Sequence, residues 1–304
     1  MKLLVTGAFN ATAEQLDMLT SLGFEIMLQK DERGKPECDF SEADAVICNG
    51  LFLYHDISEF KKLKFIQLTS AGLDRVPLEE IQKRNITLFN ARGVYSVPMA
   101  EFALAGVLSL YKHLNTFYEN QKAHIWQKDR ELRELCGETV AVVGCGSVGT
   151  ECAKRFSAFG TKIVAVDITK PESEIYSEFY NINDIKKALG IADTVVLTIP
   201  LTDETRGMFN GEMFSHFKDG SVLVNISRGA VVNEKDLINA LESEKISGAV
   251  LDVFENEPLA ENSELWDMEN VVITPHNSFV SSKNNTRLFN LAYDNLKTSM
   301  KGLV

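Results

Sequence analysis

Three side chains stand just past short apolar runs. SVLVNIS (221–227) is followed by Arg228, GAVLDVF (248–254) by Glu257 three residues on, and NVVITP (270–275) by His276, one of five histidines in 304 residues. Arginine presents a planar fork that matches a carboxylate. Histidine is the side chain whose ordinary pKa lies near neutrality. A glutamate beside an imidazole can accept its hydrogen bond, orient the ring and steady the imidazolium. Such a set suits carbonyl reduction: a cation to hold and polarise the substrate, an acid to supply the alcohol proton, and a carboxylate to position that acid. Each residue also has a plainer reading, with Arg228 bridging surface carboxylates, Glu257 capping the turn before Pro258 and His276 ending a strand. The catalytic reading gains only if the same region holds a hydride donor.

Gly144-Cys145-Gly146-Ser147-Val148-Gly149 matches the dinucleotide pattern G-x-G-x-x-G. It follows the apolar run VAVVG, opens a helical pattern, and Asp167 ends the next run eighteen residues after Gly149. In that setting Gly144 permits the tight turn, Gly146 lets backbone approach a pyrophosphate, and Gly149 lets helix and strand pack closely. Phosphate charge would meet the helix N-terminal N–H groups. Asp167 would accept from ribose hydroxyls and repel a 2′-phosphate, favouring NAD over NADP. Cys145 reads as a small loop filler rather than a redox sensor. His55, His113, His124 and His216 read as solvated or structural, and no His, Cys or carboxylate set has metal-ligand spacing, so no metal is expected.

The elements that must position these groups are short apolar runs alternating with amphipathic stretches. KLLVTG, FEIMLQ, ADAVICN, KFIQLTS and ITLFN mark a first unit, with a helix through Leu16, Leu19 and Leu22. From Pro98 the period becomes helical across PMAEFALAGVLSLYKHLNTFY, an apolar stripe long enough to suggest a bridge between domains or a subunit contact. Past it, VAVVG, KIVAVD, TVVLTIP, SVLVNIS, GAVLDVF and NVVITP are apolar throughout, as strands covered by helices on both faces should be. They imply a doubly wound parallel sheet of about six strands, with a helix from Val148 to Phe159 after the first. Ligands bind outside the carboxyl ends of such strands. Those ends carry Gly144, Asp167, Pro200, Arg228, Asp252 with Glu257, and His276. The stretch 284–300 reads as a last helix that packs back on the first unit. The expected division is 1–97 plus 284–304 for a discontinuous substrate domain and 98–283 for the dinucleotide domain.

Composition closes other avenues. A formal charge of −12 and the lack of a Lys/Arg cluster disfavour nucleic acid and membrane surfaces. The start MKLLVTGAFN lacks a signal peptide's apolar region, and no apolar run is long enough to span a bilayer. Five cysteines without C-x-x-C spacing suit a reducing compartment, so a cytoplasmic protein is expected.

Ordered motifs over essentially the whole chain give it a family resemblance: SAGLDRV (70–76), NARGVYSVPMAE (90–101), VVGCGSVG with Asp167, IPLTDETRGMFN (199–210), LVNISRGAVVNEKDLINAL (223–241), LDVFENEPL (251–259) and TPH (274–276). The chain resembles the D-isomer-specific 2-hydroxyacid dehydrogenases. The resemblance implies two Rossmann-like doubly wound parallel-sheet α/β domains, a flavodoxin-like substrate domain and a larger dinucleotide-binding domain, with a cleft between them. It implies NAD-dependent, reversible reduction of a 2-oxo acid to a D-2-hydroxy acid. Arg228, Glu257 and His276 match the catalytic trio, with His276 as proton donor, and the amides of Ala71 and Gly72 match the cradle for the substrate carboxylate. Ser147 and Val148 match the pyrophosphate loop, Thr205 and Ile226 cofactor-lining positions, and Asp252 the group facing the carboxamide. A homodimer is implied as well.

Where the family continues with small apolar residues after TPH, this chain has Asn277-Ser278-Phe279, and Phe279 adds bulk. Glu257 argues against a formate dehydrogenase, which has an amide there. A short phosphoglycerate or hydroxypyruvate enzyme is the alternative within the class, with Arg75 or Arg92 meeting a phosphate. Leu51, Phe52 and Leu53, after Asn49-Gly50, point instead to an uncharged substrate side chain. Outside the class stands a non-catalytic NAD-sensing binding protein on the same fold.

Overall fold

The computed structural model describes residues 1–301. It divides into two units, Met1–Tyr95 with the chain from Ser281 onward, and Ser96–Val280. The first contains β1 (Lys2–Thr6), α1 (Ala13–Ser21), β2 (Glu25–Gln29), β3 (Ala45–Cys48), β4 (Phe65–Leu68), α2 (Leu78–Lys83) and β5 (Thr87–Phe89). All pairings are parallel, in the order β2-β1-β3-β4-β5. The two-residue period of a strand sorts its side chains onto two faces. Leu3, Val5, Ala45 and Ile47 meet one layer that includes Leu288, Phe289, Ala292 and Leu296, and Leu4, Val46, Cys48 and Ile66 meet another with Phe40, Phe60 and Ile81.

The second unit runs α3 (Ser96–Tyr111), α4 (Leu114–Lys122), β6 (Thr139–Val143), α5 (Ser147–Ser157), β7 (Lys162–Asp167), β8 (Glu178–Asn181), α6 (Ile185–Leu189), β9 (Thr194–Leu197), α7 (Gly211–Ser215), β10 (Ser221–Asn225), α8 (Glu234–Glu242), β11 (Ile246–Leu251) and β12 (Val271–Ile273). The last helix, α9 (Asn284–Lys301), supplies Leu288, Phe289, Ala292 and Leu296 to the first unit. The second sheet is parallel throughout, ordered β12-β11-β10-β9-β6-β7-β8. Successive connections reverse direction between β6 and β9, so the switch point lies over those two strands. Both molecular units are therefore α/β layers around fully parallel sheets. Among the described residues no helix is long and apolar enough to cross a membrane.

Four details depart from the sequence reading. The sheet has seven strands rather than six, because β8, EFYN, is a half-exposed edge strand with no apolar run to betray it. Helix α3 begins at Ser96, two residues before Pro98. A proline is tolerated anywhere in the first turn, where no N–H has an intrahelical acceptor. The long apolar stripe is not one helix: the chain breaks at His113, which takes a left-handed conformation (φ 48°) before α4 starts. Its buried part, Ala100, Ala103, Val107 and Tyr111, packs on Val140, Val142, Phe156 and Val250 of the same unit, so that part needs neither a bridge nor a partner. Finally α5 ends at Ser157, which leaves Phe159 beyond the helix and 43% exposed rather than on its apolar side.

Candidate active site

The dinucleotide loop is built on close approach. Gly144 sits at φ 93°, and a Cβ there would come within 2.9 Å of Thr198 and Ile199 backbone atoms. A Cβ on Gly149 would lie 2.0 Å from the Gly144 carbonyl oxygen, so α5 rests directly on the β6 turn. Gly146 differs: it caps α5 without a side-chain cap, and a Cβ there would meet nothing within 4 Å. The space in front of it is open. The first-turn amides of Gly146, Ser147 and Val148 have no protein acceptor among the described residues, which is what an anion at a helix N-terminus requires. The residues present thus fit a pyrophosphate.

Asp167, at the end of β7, accepts from the amides of Cys145 (2.6 Å) and Ile168 (2.7 Å). One carboxylate therefore ties the fingerprint loop to the next strand and retains lone pairs for hydroxyl donors. Burial pushes the Cys145 thiol up to about 11, so it stays a thiol near neutrality and has none of the thiolate character a redox sensor needs. Thr198 is a residue the sequence reading missed. Its hydroxyl donates to the carbonyls of Gly144 (2.5 Å) and Val143 (3.1 Å), pinning the loop from the neighbouring strand. The signal was available: it is the polar residue ending an apolar strand, two before Pro200. Farther along that loop Thr205 donates to Pro200 O (2.7 Å) and accepts from Thr202 N (2.8 Å), so Thr205 and Pro200 shape one turn.

His276 and Glu257 are brought together. His276 Nδ1 lies 2.8 Å from Glu257 Oε2, while Glu257 Oε1 accepts from Phe254 N at 3.1 Å. Both side chains are part-exposed, at 39% and 37%. With an ionised carboxylate as acceptor, Nδ1 carries the proton in this pair. Nε2 then has no protein partner among the described residues. His276 holds φ 50°, a left-handed conformation that costs a non-glycine residue energy and needs surrounding bonds to persist. Beside a bond from His276 N to Thr274 O (3.0 Å), those bonds come from one residue. The Asp252 carbonyl accepts from His276 N (2.8 Å), and its carboxylate accepts from Thr274 Oγ1 (2.7 Å), Asn277 N (2.7 Å) and Ser278 N (3.0 Å). The Phe279 ring meets the His276 ring edge-on, with centroids 6.1 Å apart.

Asp252 thus has a structural task in addition to the cofactor contact expected of it: its side chain is 0% exposed and its carboxylate is bonded to 274–278. Ile226 is 1% exposed, its side chain in the core with Val224 and Val250, so it would line a cofactor site through its backbone. Arg228 follows β10 in extended backbone and is half-buried, with Nη1 donating to Ser227 O at 2.8 Å. Asn225, 1% exposed, fixes that corner: Nδ2 donates to Arg228 O (3.1 Å), and Oδ1 accepts from Ser227 Oγ (2.8 Å). Gly229 is obligatory here, since a Cβ would fall 1.8 Å from the Phe254 carbonyl carbon. A further carboxyl, Glu234, is held above the usual carboxylate range by burial and then by Glu255 and Glu257.

In the first unit Ala71 and Gly72 lie on the loop after β4. Neither amide has a protein acceptor among the described residues, while Asn90 Nδ2 donates to Ala71 O at 2.7 Å and steadies the turn. Of the three apolar residues after Gly50, Leu51 is wholly buried and Phe52 packs on the same core; only Leu53, 57% exposed, faces outward. Among the described residues no group of three or more His, Cys, Asp or Glu side chains is arranged to hold a metal ion.

Comparison with known proteins bears on this arrangement. Residues 104–278 match the model of the NAD-binding domain of D-isomer specific 2-hydroxyacid dehydrogenases. The chain is 34% identical over 255 residues to a hydroxypyruvate reductase of Thermotoga maritima, covering 82% of this chain and 81% of that one. It is 33% identical over 246 residues to a glyoxylate reductase of Thermofilum pendens, covering 79% and 73%. Among solved structures, D-lactate dehydrogenase of Aquifex aeolicus, complexed with NAD and lactic acid, superposes with a TM-score of 0.79 at 28% identity, covering 99% and 96%. The three names carry three different acids around one reaction type.

Proposed function

Since the chain belongs to the D-isomer-specific 2-hydroxyacid dehydrogenases, NAD(H)-dependent oxidoreductases acting on 2-hydroxy acids, we propose that His276 is the proton donor of its reaction, the reversible reduction of a small 2-oxo acid. The nicotinamide, when bound, supplies the hydride. Glu257 accepts from Nδ1 and so presents Nε2 to the ketone oxygen, which takes the proton as the alcohol forms. The same carboxylate balances the charge of the imidazolium. Arg228 offers its fork to the substrate carboxylate or the oxygen being reduced. The amides of Ala71 and Gly72 cradle the carboxylate. Gly146, Ser147 and Val148 hold the pyrophosphate, with Gly144 and Gly149 shaping the loop, and Asp167 takes the ribose hydroxyls and disfavours NADP.

The observation that carries this reading is the His276–Glu257 pair at 2.8 Å, on the strand-end rim that also bears the dinucleotide loop. A cofactor sensor would have no use for an imidazole poised in this way. Two finer points have their own support. Leu114, Tyr118, Ile125 and Trp126 are 48%, 65%, 50% and 96% exposed around α4, an apolar surface that suits a homodimer contact. The five cysteines are all unpaired, which suits the cytoplasm.

The test is NADH consumption followed optically with pyruvate, hydroxypyruvate, glyoxylate, 2-oxoisocaproate, phenylpyruvate and 3-phosphohydroxypyruvate. Turnover of at least one acid, with NADH preferred over NADPH, is expected. Tight NADH binding with no turnover of any acid would favour the sensor.

A further inference from the structure

The carboxyl edge of the first sheet carries a concavity that the reaction scheme leaves without a task. It is a pocket of ≈ 380 Å³ lined by Ala8 after β1 and by Asn49 and Gly50 after β3. In the order β2-β1-β3-β4-β5 the connections diverge between β1 and β3, so this is the switch point of that sheet, the place where open parallel sheets take ligands. Three cations line it: Lys30 and Arg33 after β2, and Arg75 after β4. Among the described residues none of the three forms an ion pair, and the Arg33 guanidinium lies 5.8 Å from the centre of the Tyr54 ring.

Two carboxylates share the lining, and their bonds decide the sign of the site. Glu32 is committed: its oxygens accept from Thr6 Oγ1 (2.6 Å), Asn49 N (2.7 Å) and Gly50 N (2.7 Å), holding the β3 loop against the β2 loop. Asp31 accepts from Arg33 N at 3.0 Å. What remains for a visitor is predominantly guanidinium and ammonium.

We propose that this pocket receives a second anionic group of the substrate, a phosphate, sulfonate or carboxylate at the end of the 2-oxo acid remote from its reacting carbonyl. The assignment rests on Ala71 and Gly72 holding the first carboxylate. Arg75 lies on the same loop as those amides, four residues past Ala71. Strands β3 and β4 are neighbours, so cradle and pocket are separated by one to two strand spacings, roughly 5–10 Å. A three- to five-carbon acid with a terminal anion spans that distance. Arg33 and Arg75 supply planar forks that recognise phosphate, sulfonate and carboxylate oxygens in pairs. The apolar cue from the Asn49–Leu53 loop narrows to Leu53, which lines the pocket beside Tyr54, since Leu51 and Phe52 are spent on the core.

The experiment compares matched acids, hydroxypyruvate with 3-phosphohydroxypyruvate and pyruvate with 3-sulfopyruvate, in the wild-type enzyme and in Arg33→Gln and Arg75→Gln. The expected result is a higher kcat/KM for the anionic member of each pair, and a preference ratio that falls by about tenfold or more in each variant. Inorganic phosphate should compete with the acid. A preference for the neutral members, a ratio unchanged by both substitutions, or phosphate inhibition that is not competitive would overturn the assignment. Failure of every acid to turn over would instead sink the reaction itself. The anion site would then be judged by calorimetric phosphate titration, which should saturate in the wild type and weaken in both variants, and absence of binding would overturn it.

Discussion

The two sheets end in rims of opposite character. At the carboxyl edge of the second sheet the groups that set the geometry are engaged with one another, leaving open, among the described residues, only what meets a ligand, the loop amides at 146–148 and His276 Nε2: Asp252 grips 274–278, Thr198 pins Gly144, Asn225 fixes the Arg228 corner, and Glu257 holds His276. At the edge of the first sheet Glu32 is engaged as well, but the amides of Ala71 and Gly72 point to no protein acceptor, and Lys30, Arg33 and Arg75 form no ion pair among the described residues. Chemistry that depends on atoms held within a fraction of an ångström belongs on the prebuilt rim, because preorganisation is what lowers a barrier. Recognition of one acid among many belongs on the open rim, where side chains change with little cost to the fold.

That contrast is open to attack from both sides. Asp252→Ala should do the most damage, since it strands two amides and a hydroxyl in the interior and releases the left-handed His276. About 3 kcal/mol or more of stability should go, with a melting temperature lower by roughly 6–12 °C and kcat down at least about tenfold. Calorimetry and steady-state kinetics read both, and a variant that melts normally would show that the clamp is ornamental. Asp167→Ala should leave kcat nearly intact and raise the Kd for NADH about ten- to hundredfold, narrowing the margin over NADPH. Fluorescence titration with the two cofactors decides it, and an unchanged margin would remove Asp167 from cofactor choice.

On the open rim Asn90→Ala removes the bond to the Ala71 carbonyl and a longer one accepted from Arg92 N (3.3 Å). A rise in KM of a few-fold, with kcat and melting temperature nearly unchanged, is expected; a collapse in kcat would mean that this rim is as prebuilt as the other. The smallest effect concerns Glu234, whose carboxyl is raised by burial and by Glu255 and Glu257. The folded state keeps that proton where the unfolded chain has released it. Stability therefore falls as pH rises from the usual carboxylate value through the raised one. In Glu234→Gln the fall should be shallower, leaving the variant a few tenths of a kcal/mol ahead near neutrality. Melting curves across that range check the sign, and a variant that loses ground as pH rises would contradict it.

How far the sequence could be read follows from the same physics. Buried parallel strands advertise themselves as apolar runs, and the glycines of a dinucleotide turn leave a spacing no other residue can imitate, so the sheets and the fingerprint loop were legible. Strand β8 was not, because an edge strand needs no apolar run. The break at His113 was not, since nothing in KHLN marks a left-handed residue the way glycine would. Among site residues, those at strand ends were visible by type. What they touch was not: Asp252 has the type of a ligand-facing carboxylate, and only packing reveals that it also grips 274–278. Thr198 was passed over because a threonine ending a strand is commonplace until the carbonyl beneath it is seen.

The claim at the centre is that Nε2 of His276, oriented by Glu257, delivers the proton. The most direct measurement is kcat of His276→Ala alongside its Kd for NADH, using whichever 2-oxo acid the wild-type enzyme turns over fastest. The account predicts kcat lower by roughly 10²–10⁴-fold with NADH affinity within about twofold, since no cofactor contact is assigned to His276. A kcat within about tenfold of wild type, with NADH bound as tightly, would place the proton donor elsewhere and contradict it.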